Sequence, residues 1–161
     1  MSTEDKSIHG ESIKDKITQD MKKALAAKDK VKLSVIRLLK SEIRYKEIEK
    51  GSELSDDEII SVLSSSVKRH KDSIEQFEKG GRDDLAAQEK AELEIIWEYM
   101  PKQLEEDELS KIVDEAIKET DVLSPSGLGK VMKTVMPKVK GRADGKRVNE
   151  LALSKLKSMS E

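Results

Sequence analysis

Along almost the whole chain, apolar residues recur every three or four positions, and no window sustains a two-residue alternation. That period buries one face of a helix, whereas a strand would scatter the same residues over both faces. The chain is therefore read as all-α, multihelical and without a sheet. Ile13, Ile17, Met21 and Leu25 mark a first helix from about Ser12. Val31, Val35, Leu38, Leu39, Ile43 and Ile48 mark a second, over about 29–50, with Gly51 where a C-terminal cap belongs. Ser55 followed by Asp56, Asp57 and Glu58 is a capping-box start for a third helix, which Gly80 and Gly81 stop. A fourth, over about 83–100, carries Leu85, Leu93, Ile96, Trp97 and Met100 and ends at Pro101.

Pro101 is the expected domain boundary. The reading is a disordered lead-in over 1–10, a four-helix N-terminal subdomain over 11–101 and a three-helix C-terminal subdomain over 102–161. In the latter, a helix over about 105–120 points Leu109, Ile112, Val113, Ala116 and Ile117 inward. A helix over about 127–136 follows, which Pro137 is expected to kink or end. After the turn GRADG, a last helix carries Val148, Leu151 and Leu156.

Composition limits the chemistry. Charged residues make up 40% and hydrophobic ones 35%, with four aromatics, so the cores must be aliphatic and the helix faces heavily solvated. Without cysteine there is neither a disulfide nor a thiolate zinc site. His9 and His70 lie far apart, and each reads as an ordinary surface or rim histidine rather than a metal ligand. No apolar run approaches the roughly 20 residues of a membrane span. The polar, partly acidic start MSTEDKSIHGES suits neither a secretory signal nor a transit peptide, so a cytoplasmic protein is expected.

Motifs of catalysis are missing or incomplete. GLGK at 127–130 lacks the glycine five positions before Gly129, where Ser124 stands, and has Val131 after its lysine, so it is no phosphate loop. Its glycines read instead as helix entry or close helix approach. Ser65-Ser66-Val67-Lys68 has the S-x-x-K spacing of some serine nucleophiles but none of their partner motifs. No nucleophile, base and oxyanion donor assemble, and no catalytic, metal or cofactor-binding residue is assigned.

Positive charge is concentrated near the C-terminus. From 127 to 157 nine basic residues face only Asp144 and Glu150, in a chain whose net charge is −2. Eight acids over 105–121 face only Lys111 and Lys118. The candidate polyanion contacts are Lys130, Lys133, Lys138, Lys140, Gly141, Arg142, Lys146 and Arg147, with the glycines of the turn letting backbone amides approach a phosphate. This segment has no aromatic residue, so any RNA would be held by shape and phosphate contact rather than by base stacking.

Three segments carry a family resemblance: KDKVKLSVIRLLKSEIRYKEIE, DSIEQFEKGGRDDLAAQEKAELEIIWEYMPKQL and GLGKVMKTVMPKVKGRADGKRVNELALSKL. By these the chain resembles the YqeY family over nearly its whole length. The third is also similar to the tail domain of GatB, a component of the glutamine-dependent aspartyl/glutamyl-tRNA amidotransferase. The resemblance implies the four-plus-three helix arrangement and a relation to carbon–nitrogen ligases that use glutamine as amido donor. It also implies a role in holding tRNA, because catalysis in that enzyme lies in other domains. The residues matching the shared signature are Gly129, Met132, Met136, Gly141, Arg142, Ala143, Asp144, Val148, Asn149 and Leu151. Two functions are thus expected: a non-catalytic accessory protein binding tRNA or another structured RNA, or a protein–protein module docking on a tRNA amidotransferase component or another translation-associated enzyme.

Overall fold

The computed structural model describes residues 10–161. Apart from Gly10, the lead-in expected over 1–10 lies outside the described residues, as does His9. Among the described residues there are seven α-helices and no strand, in two compact units, 10–100 and 101–161.

The first unit contains α1 (Ile13–Ala27), α2 (Lys30–Lys50), α3 (Asp56–Lys79) and α4 (Asp83–Trp97). Several termini have a local cause. The Ser12 and Asp29 side chains accept the Asp15 and Lys32 amides to start α1 and α2, and Gly51 closes α2 in the left-handed conformation. At α3 the capping box forms in full. Ser55 Oγ accepts the Glu58 amide while Glu58 Oε2 accepts the Ser55 amide at 2.7 Å.

Helix α3 packs along α4, α1 along α2, and α2 against both α3 and α4. Ile17, Ile36, Leu39, Ile59, Leu63 and Ile96 form the interior. Glu47, nearly buried, accepts from Lys14 Nζ at 2.8 Å and from the Leu54 amide at 3.2 Å, tying α1 and the loop after α2 together. Tyr99, just past α4, donates its hydroxyl to Asp20 Oδ2 at 2.6 Å; burial, then that carboxylate, raises the phenol pKa.

Not every residue of the α2 stripe is covered. Val31 and Leu38 are 48% exposed, Tyr45 64% and Ile48 67%. The interior takes Val35, Ile36, Leu39 and Ile43, so the apolar arc of α2 is wider than its neighbours can bury.

Glu58 couples the α3 cap to pH. Hydrogen bonds from Lys50 and then from the Ser55 amide bring its carboxyl from an ordinary 4.5 down to about 2. A carboxylate depressed in the folded state stabilises the fold above its ordinary value and loses that contribution as pH falls towards the folded one. Urea unfolding is therefore expected to show stability declining between about pH 4.5 and 2, and Glu58→Gln, which keeps a cap but carries no charge, to flatten that decline.

The second unit contains α5 (Glu106–Thr120), a short 3₁₀ turn (Pro125–Gly127), α6 (Leu128–Val139) and α7 (Gly145–Met159). Leu109, Val113, Val131, Val135, Val139, Val148 and Leu156 meet in its core. Pro137 does not end α6, which runs on to Val139. Proline removes one hydrogen bond, but Val135 and Val139, both fully buried, hold the final turn against the core.

Gly127 is required by packing. A Cβ there would lie 2.3 Å from Val122 Cγ1, whereas one on Gly129 would meet nothing within 4 Å. The close approach suggested for both glycines therefore belongs to Gly127 alone.

Candidate nucleic-acid interface

The candidate residues lie along α6, on the turn after it and in the first turn of α7, all exposed except the half-buried Gly141. The turn follows from the sequence Val139-Lys140-Gly141-Arg142. Lys140 at φ −51°, ψ 122° and Gly141 at φ +73° form a type II turn, closed by the Arg142 amide donating to the Val139 carbonyl at 2.8 Å. Glycine supplies the positive φ that a side chain there would resist. Asp144 then accepts the Lys146 amide at 2.9 Å and starts α7.

The segment after Pro101 pins this turn. Gln103 Nε2 donates to the Gly141 carbonyl at 2.8 Å and to the Pro101 carbonyl at 3.0 Å, and the Leu104 amide donates to the Arg142 carbonyl at 2.8 Å. Gln103 was legible only as part of a family motif; its positioning role depends on a contact 38 residues away.

The fold divides the cations in two. Lys138 pairs with Glu119 at 3.0 Å, Arg147 pairs with Glu106 and lies 3.7 Å from Glu150, and Lys130 donates to the Thr120 carbonyl at 3.2 Å. The Arg147 guanidinium holds the Glu106 carboxyl below the usual range. Just outside the candidate set, Lys155 pairs with Asp114 at 2.8 Å. The acidic helix α5 therefore commits much of its charge to α6 and α7. Lys133, Lys140, Arg142 and Lys146 make no ion pair among the described residues.

Those four cations, a rigid turn and the amino end of α7 lie within one short stretch of chain. A helix start and exposed ammonium and guanidinium groups both favour phosphate. Of the signature residues, Val148 is core, Met132 and Met136 pack against that core, and Asn149 is exposed.

His70 is the residue most misread in sequence. It is buried at 7% exposure rather than at the surface or rim, and it faces Glu89 and Glu92. The pair Glu89-x-x-Glu92, one turn apart on α4, was the available signal.

A family model described as "Yqey-like protein" matches residues 14–156. The chain is 42% identical over 82 residues to "Altered inheritance of mitochondria protein 41, mitochondrial" of Saccharomyces cerevisiae (strain YJM789), covering 50% of this chain and 44% of that protein. The proteins of the same name from Lachancea thermotolerans and Eremothecium gossypii are 40% and 39% identical over 85 residues, covering 52% of this chain and 46% of each relative. The chain thus spans less than half the length of the curated relatives it matches. Their name points away from the cytoplasm, and the expected cytoplasmic location is corrected on that finding.

Proposed function

The chain belongs to the YqeY family, and on that footing we propose that it is a non-catalytic accessory protein that binds tRNA or a similarly structured RNA through the second unit. One observation carries the reading: among the described residues Lys133, Lys140, Arg142 and Lys146 make no ion pair, although α5 offers acids that pair with their neighbours. Leaving cations without ion-pair partners on and beside a pinned turn gives a phosphate backbone a prepared partner. The likeness of GLGKVMKTVMPKVKGRADGKRVNELALSKL to the tail domain of a tRNA amidotransferase component favours tRNA within that class.

The test is fluorescence anisotropy of the full chain with labelled tRNA and with an unrelated duplex of similar size, across a salt series. Affinity is expected to fall steeply with salt while tRNA keeps its preference at every point. Equal, weak binding to both would overturn the reading in favour of generic electrostatics.

The exposed apolar residues of α2 favour a second reading, docking on a protein such as a tRNA amidotransferase component. Val31, Leu38 and Tyr45 recur seven apart and so line one stripe, with Ile48 beside it. A defined partner retained after nuclease treatment and lost with Leu38→Glu/Tyr45→Glu would support it. Among the described residues, no helix is long and apolar enough to cross a membrane.

A further inference from the structure

We propose that His70, Glu89 and Glu92 form a divalent transition-metal site, of the kind that takes Zn²⁺, joining α3 to α4. His70 Nδ1 lies 2.9 Å from the Ser66 carbonyl one turn earlier on α3. A carbonyl only accepts, so Nδ1 carries a proton and donates. Nε2 lies 3.2 Å from Glu92 Oε2 and 3.7 Å from Glu89 Oε2, which as carboxylates also only accept. A neutral imidazole has a single N–H. With it committed to Ser66, the Nε2 lone pair is aimed at two negatively charged oxygens from a side chain that is almost wholly buried. The arrangement calls for a positive species among the three atoms.

A metal ion meets that demand with suitable geometry. The three ligand atoms lie within 4.8 Å of one another. Bonds of about 2.0–2.1 Å in a tetrahedron place ligand atoms about 3.3 Å apart, and the two nitrogen–oxygen separations, 3.2 and 3.7 Å, are close to that edge. The backbone carbonyl on the far ring nitrogen is the outer partner that metal-bound histidines use to set tautomer and direction. Gln88 Nε2, 3.4 Å from Glu92 Oε1, occupies the other carboxylate oxygen and leaves Oε2 for the site.

One imidazole with two carboxylates suits zinc and its neighbours better than magnesium or calcium, which take oxygen ligands in larger number. Glu89 and Glu92 keep 24% and 22% exposure, so a fourth position opens to water. The site lies wholly in the first unit, so its test stands apart from that of RNA binding.

The experiment uses the untagged full chain, stripped with chelator, titrated with ZnCl₂ by calorimetry and with CoCl₂ by visible absorption. The expected result is one equivalent of Zn²⁺, the intense visible bands of tetrahedral Co²⁺, and Mg²⁺ binding at least about tenfold weaker. Glu89→Gln and Glu92→Gln, near-isosteric and partly exposed, are expected to weaken Zn²⁺ at least about tenfold with helicity unchanged. His9→Gln should leave stoichiometry and affinity as they were. Absence of saturable binding, unchanged affinity in both glutamate variants, or loss of the equivalent in His9→Gln would each overturn the site. A proton would then be the species His70 shares with Glu92.

Discussion

Gly127→Ala lowers the unfolding free energy by about 1–3 kcal/mol, the usual range for forcing an extra methyl into a packed core. The cause is steric. Gly127 sits at φ −93°, a conformation alanine adopts freely, so its backbone asks for nothing special. Its Cβ, however, would lie 2.3 Å from Cγ1, 2.8 Å from Cγ2 and 3.1 Å from Cβ of Val122. All three atoms belong to a short, β-branched side chain that cannot swing away, and Val122 itself is part of the core of the second unit. Either the 3₁₀ turn or the segment just after α5 that carries Val122 must shift. Urea denaturation of the two proteins checks the loss, and Val122→Ala in the Gly127→Ala background is expected to recover part of it by removing the two methyls. A double variant no better than the sum of its single changes would place the cost elsewhere.

Lys140→Glu/Arg142→Glu is expected to weaken tRNA binding roughly 100-fold at 0.15 M salt and to reduce the salt slope by about two. Lys138→Glu/Arg147→Glu changes the net charge by the same amount, yet should weaken binding less than about tenfold. The difference follows from the pairing. Lys138 and Arg147 are already committed to Glu119 and Glu106, and they offer a phosphate little that is not neutralised. Lys140 and Arg142 flank Gly141 on a turn whose carbonyls are held by Gln103 and Leu104, and among the described residues they make no ion pair. Anisotropy with the same labelled tRNA reads both pairs, and circular dichroism confirms that the helices persist. Equal weakening by the two pairs would mean that RNA responds to net charge alone, and the assignment of the turn would fall.

How much could be read beforehand differs from residue to residue. Ser55 and Glu58 announced the start of α3, and both hydrogen bonds of the box are present, because a cap is decided by residues three apart. Gly51 likewise ends α2 where its φ of +81° demands a glycine. Pro137 does not end α6, one of the two outcomes expected of it, because the local rule counts a lost hydrogen bond and cannot count the burial of Val139 beyond it. Ile48 and Leu38 joined an apolar stripe by spacing, but exposure depends on how many neighbours a helix has, which spacing does not record.

The basic segment was visible as composition, and its division was not. The residues that pair with Lys138 and Arg147 lie 19 and 41 positions away, on a helix that reaches them only by packing against α6 and α7. His70 was misread for the same reason, since Glu92 lies 22 positions on and meets it only across the α3–α4 contact.

What the sequence alone determined is therefore the all-α character, the helix starts and stops set by caps and glycines, and the family. These are settled by interactions within a turn or two of chain, or by motifs recurring in order. Tertiary structure decided which cations remain unpaired, why Gly127 admits no side chain, and which nitrogen of His70 faces the two glutamates. Each of those depends on a distance between residues far apart in the chain, and only the packing of helix on helix brings them within reach.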